Sequence, residues 1–291
     1  MTAPRTGLRP ARPPRGSSKV AEPHLLESPA LLLQTPSRID CGSLEFAHAR
    51  ILARHGQRVA ETTWQRIEVV RDFAPALELA RSSALRPWLV GLSADSPSGQ
   101  IEAVLRGHGQ AMVDEVAAWM PVAWQPALAW CARWPDLPVL QHLARGGDLP
   151  PGLRDDDRWA APARDRASPA PLAAGPWAAL SPAWTDPDRF GDQWLVAWQR
   201  LLPGSALNND GPLKRVLALW REHGLAFAQA VPGQGWPQRT ALRSRLALLL
   251  RSAALDPAAA FIHLTLCALD LERLRAELLR RVCFPRWAMV A

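Results

Sequence analysis

The stretch DPAAAFIHLTLCALDLERLRAELLRRVCFP, residues 256–285, decides the fold class of this chain. Asp256 is a residue type that caps helices, and Pro257 suits the first helical position, where its missing N–H costs nothing. No other proline and no glycine interrupts the segment before Pro285. The pattern therefore predicts a single closing helix, roughly 40 Å long at about 1.5 Å per residue.

The apolar residues of this closing helix form a seam. They are three or four positions apart, at Leu264, Cys267, Leu271, Leu274 and Leu278. The first half of the helix is apolar on nearly every face, whereas charged residues occupy the other faces of the second half. We therefore expect the first half to be buried and the second half to leave the core toward water or a partner.

The composition favours a folded protein without a membrane span. The chain has 291 residues, of which 48% are hydrophobic, enough for one large domain or two smaller ones. The longest apolar window, residues 258–269, is about half of what a bilayer span needs. Residues 1–19 lack the apolar core of a secretory signal, and the four cysteines are scattered. These features predict a cytoplasmic protein with reduced thiols.

The basic net charge of +7 is a weak argument for a nucleic-acid partner. Several of the arginines lie in the first 20 residues, and most of the others are interleaved with Asp and Glu. We therefore expect no nucleic acid among the partners.

Breaker-rich and periodic segments alternate along the chain and predict its organisation. Residues 1–40 read as a flexible arm rich in Pro and Arg, and residues 41–147 as an N-terminal helical region. Residues 148–190 form a proline-rich linker or surface insertion, and residues 191–291 a C-terminal helical region. No stretch alternates apolar and polar residues long enough to require a sheet. The predicted class is all-α, a bundle of several helices broken by prolines.

Four tryptophans make the segment of residues 119–147, the Trp-rich middle, unusual. Trp119, Trp124, Trp130 and Trp134 supply large apolar surfaces, and Leu and Ala surround them. Aromatic clusters sometimes bind ligands, but rings among aliphatic side chains are more typical of a core.

The motifs that suggest chemistry are incomplete. Ser93, in the segment GLSAD, lacks the second glycine and the preceding strand of a nucleophile elbow. Asp155 to Asp157 could form a metal-binding aspartate cluster on a helix. They lie in a segment without periodicity, however, so a solvated run of charges is the better interpretation. His263 lies in the apolar half of the closing helix, as a core histidine does, and neither lysine follows a glycine-rich turn. We expect no enzymatic activity, no cofactor, no metal and no small-molecule substrate.

Three short motifs occur on separate predicted helices. They are Phe46, Ala49 and Arg50; Ile101, Glu102 and Leu105, followed by Arg106; and Glu272, Leu274 and Arg275. They resemble helix motifs of the C (or d) subunit of V-type rotary ATPases, with Phe46 in place of a tyrosine and Arg273 in place of an asparagine.

The resemblance implies an all-helical central-stalk subunit of three related parts, which performs no catalysis and seats the rotating shaft on the membrane ring for ion transport. It implies other rotary-ATPase subunits as partners, and a peripheral location at the cytoplasmic face of the membrane, held there through those partners. The residues expected to make polar contacts are Arg50, Glu102, Arg106, Glu272 and Arg275, unless they form ordinary surface ion pairs. The alternative is a helical scaffold or adaptor that binds another protein through the Trp-rich middle.

Overall fold

The structure of the chain is a computed structural model that describes residues 38–284 except Asn209 and Pro232, with side chains from residue 44 onward. These residues contain twelve α-helices joined by short turns and 3₁₀ segments, and no strand. The all-α prediction is confirmed. The predicted flexible arm, residues 1–40, lies outside the described residues except for its last three positions, which begin the first helix.

The helices follow one another closely along the chain. In order they are α1 (Arg38–Gly56), α2 (Glu61–Val69), α3 (Phe73–Arg81), α4 (Ser98–Trp119), α5 (Gln125–Trp130), α6 (Leu137–Ala144), α7 (Ala160–Arg164), α8 (Ala170–Ala173), α9 (Phe190–Arg200), α10 (Pro212–Ala228), α11 (Gly235–Arg251) and α12 (Ala258–Cys283).

Helix α12 is the closing helix that the sequence predicts. The side chain of Asp256 accepts a hydrogen bond from the backbone N–H of Ala258 at 2.8 Å, which satisfies one of the free N–H groups of the first turn. The helix then continues without interruption for 26 residues.

Helix α4 runs antiparallel to α12 and packs closely against it. Its start pairs with the end of α12 through Glu102 and Arg275, and its middle meets Leu271. A methyl group on Gly109 would lie 3.4 Å from the Cδ1 atom of Leu271, an ordinary van der Waals contact, so Leu271 packs directly over this glycine.

The buried apolar side chains form two clusters, and α4 and α12 contribute to both. The larger cluster includes residues 258–262 of α12 and the second half of α4. The smaller cluster joins side chains of α2, α3 and the start of α4 to Leu274 and Leu278 of α12, both fully buried. The expectation that the second half of α12 leaves the core was therefore wrong, because α2, α3 and α4 cover its apolar seam.

Residues 148–190, predicted as a linker or insertion, form α7, α8 and several 3₁₀ turns. Their side chains Trp159, Leu172, Trp177 and Leu180 are fully buried and belong to the larger cluster. Prolines thus divide this segment into short helical pieces whose apolar residues still pack.

The core interpretation of the Trp-rich middle is confirmed. Trp119 is buried, and the other three rings are partly buried against the larger cluster. The ring of Trp134 contacts those of Trp194 and Trp220, with centroids 4.9 and 5.1 Å away. No helix of the described part of the chain combines the length and the apolar character that crossing a bilayer requires.

Candidate functional site

The structure brings together three of the five predicted contact residues on α4 and α12. The Nε atom of Arg275 donates to both carboxylate oxygens of Glu102 at 2.8 Å, and Glu272 lies 3.8 Å from the guanidinium. The hydrogen bond to Glu102 raises the pKa of Arg275 above its ordinary value. Two of the motifs that carry the resemblance therefore meet at one ion pair, which joins the antiparallel helices.

Arg106, the fourth predicted residue, contacts the interior of the protein. Its Nη1 atom donates to Oδ1 of Asp136 at 2.9 Å, and the other oxygen of Asp136 accepts from Nε1 of Trp177, also at 2.9 Å. Burial raises the pKa of Asp136, against the opposing effects of Trp177 and Arg106. Arg106 thus links α4 to the turn before α6.

Arg50, the fifth predicted residue, lies on the surface of α1. Its guanidinium is 4.8 Å from the ring centroid of Phe46 and 5.5 Å from that of Trp119. It borders a shallow depression of about 300 Å³, together with Ala53, Arg54, Gln57 and Trp119. Within the described residues, Arg54 forms an ion pair with Glu115, whereas Arg50 has no carboxylate at ion-pair distance. Arg50 is therefore the predicted residue most available to a partner.

Two buried ion networks on α12 were not predicted from the sequence. In the first, Asp270 is 1% exposed and accepts hydrogen bonds from Arg58, whose Nε atom is 2.8 Å away, and from Arg243. Burial raises the pKa of Asp270, while the two arginines act in the opposite direction. The network connects α12 to α11 and to the turn after α1.

The second network surrounds Arg273. This arginine forms a two-bond pair with Glu61, at 2.9 and 2.7 Å, and donates to Glu68 at 3.0 Å. Its guanidinium also lies over the rings of Trp64 and Trp236, at 4.8 and 5.4 Å from their centroids. A planar guanidinium satisfies two carboxylates and two ring faces at once, which explains how a charged residue is buried here.

Arg281 caps the C-terminal end of α2. Its Nη2 atom donates to the carbonyl oxygens of Ile67 and Val70, each at 2.6 Å. The last carbonyls of a helix have no partner within the helix, so Arg281 supplies donors that α2 itself lacks.

The buried side chains of His263 and Cys267 contact each other, with Sγ 3.7 Å from Nε2. Burial lowers the pKa of His263 to about 4 and raises that of Cys267 to about 12. Both groups are therefore neutral at neutral pH, whereas a cysteine nucleophile requires a thiolate. The pair is a packing contact between successive turns of α12.

The other sequence motifs make local turns. The backbone N–H of Ser93 donates to the hydroxyl of Ser96 at 2.8 Å, and Asp156 accepts from the backbone and guanidinium of Arg158. Among the described residues, no group of three His, Cys, Asp or Glu side chains is arranged to hold a metal ion.

No protein family, curated protein or solved structure matches this chain.

Proposed function

We propose that this chain is a non-catalytic helical subunit that couples other proteins through helix packing, in the manner of the central-stalk C (d) subunit of V-type rotary ATPases. Its partners would be the shaft and the membrane ring, and its location peripheral to the membrane. The observation that carries the proposal is the pair between Glu102 and Arg275, because it joins two separately recognised motifs into one contact.

The way in which α12 is held supports a mechanical role. Its first half is enclosed by the larger cluster, and its second half by the smaller one. Ion networks centred on Asp270 and Arg273 attach it to α11 and α2 as well. A helix fixed along its whole length transmits a displacement from one end of a protein to the other instead of bending locally.

The depression beside Arg50 favours the second candidate, an adaptor that binds another protein next to the Trp-rich middle. Arg50 stacks on Phe46, which is 52% exposed, and on the edge of the middle at Trp119. Arginine and aromatic side chains are the residue types on which binding energy at protein interfaces concentrates.

The test is recovery of the tagged chain from its own host in mild detergent, followed by mass spectrometry. We expect ring and shaft subunits of a rotary ATPase among the recovered proteins. Arg50→Glu should weaken this recovery, whereas the matched control Arg200→Glu, at an exposed position of α9, should not. Recovery without any rotary-ATPase subunit would overturn the proposal, and loss of some other protein in the Arg50 variant would favour the adaptor.

A charge exchange separates the internal role of Arg275 from a role in binding. Arg275→Glu alone places a carboxylate opposite Glu102 and should lower the melting temperature. Combining it with Glu102→Arg restores an ion pair in which the two helices have exchanged charges. If the double variant regains stability but not recovery of the partners, Arg275 also contacts a partner. If it regains both, the pair serves the fold alone.

A further inference from the structure

The hairpin of α10 and α11 is strongly basic. Residues 211–252 contain seven Arg and Lys and a single acidic residue, Glu222, for a net charge of +6 against +7 for the whole chain. Lys214, Arg243 and Arg245 are paired with carboxylates. The other four basic side chains have no carboxylate at ion-pair distance among the described residues: Arg215, Arg221, Arg239 and Arg251.

Exposed apolar side chains lie at the end of α10, near two of these arginines. Leu225 is 64% exposed, Phe227 41% and Val231 65%. Arg221 precedes Leu225 by one helical turn, and the guanidinium of Arg239 lies 4.7 Å from the ring centroid of Phe227. These three apolar residues, the apolar tip, are therefore flanked by unpaired cations.

We propose that the apolar tip of the α10–α11 hairpin binds directly to an anionic lipid surface. The transfer of an apolar side chain from water to the boundary between headgroups and acyl chains is favourable, and nearby arginines are attracted to lipid phosphates. A nucleic acid would use the same positive charge, but it offers no apolar layer for Leu225 and Val231. The charge and the apolar tip together thus favour the lipid surface.

The proposal does not depend on the rotary-ATPase assignment, because it requires no partner protein. It goes beyond a membrane location held through other subunits, and the purified chain is sufficient to test it. Failure of lipid binding would leave the recovery experiment above unaffected, and the reverse also holds.

The experiment is sedimentation of the purified full chain with vesicles. We expect binding to phosphatidylcholine vesicles that contain about a quarter phosphatidylserine, little binding to phosphatidylcholine alone, and release by salt. Arg221→Ser should weaken binding about fivefold, which corresponds to about 1 kcal/mol per surface cation. Val231→Ser should weaken it by a similar factor through the loss of apolar area.

Two control variants test whether the effect is local to the tip. Val122→Ser changes a residue that is 79% exposed outside the hairpin, and Arg200→Ser removes an exposed cation from α9. Neither should alter sedimentation. Absence of binding to the anionic vesicles, or equal weakening by Val122→Ser and Val231→Ser, would overturn the proposal. The proposal would also be overturned if duplex DNA displaced the bound chain from the vesicles and Val231→Ser bound the vesicles as tightly as the wild type. That result would assign the surface to nucleic acid.

Discussion

Truncating two leucines one turn apart on α12 tests which part of the seam holds the fold. Leu274→Ala removes a side chain that is fully buried in the smaller cluster, where Ile101 and Leu105 of α4 also lie. Leu271→Ala removes a partly buried side chain at the edge of the same cluster, near Gly109. The helix and the substitution are the same, so a difference in the free energy of unfolding reports the difference in burial.

The expected magnitudes follow from the burial of each leucine. A fully enclosed Leu→Ala change loses the transfer free energy of the removed carbons and leaves a cavity, which together cost about 2 to 5 kcal/mol. For Leu274 we expect about 3 kcal/mol, a large part of the roughly 5 to 15 kcal/mol by which a typical domain is stable. For Leu271 we expect about 1 kcal/mol, because water already reaches part of its side chain.

Urea denaturation of the full chain, followed by far-ultraviolet circular dichroism, measures both losses. Leu225→Ala, at a site that is 64% exposed, is the matched control and should change the free energy of unfolding by less than about 0.5 kcal/mol. Equal losses for Leu271 and Leu274 would refute the assignment of the seam, and so would a loss for Leu225 as large as that for Leu274.

Two further predictions concern glycines and pH. Gly152→Ala should lower the melting temperature, because its methyl group would lie 2.9 Å from the backbone of the first turn of α4. Gly107 has open space around it, so Gly107→Ala should raise the free energy of unfolding by about 0.5 to 1 kcal/mol and with it the melting temperature. Equal shifts of the melting temperature in the two variants would contradict this prediction. Hydrogen bonds from Arg273 lower the pKa of Glu61 below its ordinary value of 4.5, so its stabilising contribution is complete above that pH and is lost as the pH falls through the lowered pKa. The difference in melting temperature between wild type and Glu61→Gln should therefore be largest at neutral pH and vanish in acid; a difference independent of pH would refute it.

The sequence alone determined the longer helices, because the signals for helices are local, whereas the short helices α7 and α8 were not predicted. Asp256 and Pro257 mark the start of α12, and the regular spacing of its apolar residues specifies a helix throughout. The sequence also singled out Glu102 and Arg275 as contact residues on separate helices. It did not predict that the two form an ion pair with each other.

The tertiary structure alone decided what covers each helix face. The carboxylate partners of Arg273 are more than 200 residues away along the chain, and Arg58 is equally distant from Asp270. Spacing within α12 marks its charged positions as solvent-facing, yet Asp270 and Arg273 are buried, since carboxylates, guanidinium groups and aromatic rings from other helices satisfy them. Periodicity states which faces of a helix are apolar, but the surroundings of a charged face depend on elements that fold against it from elsewhere in the chain.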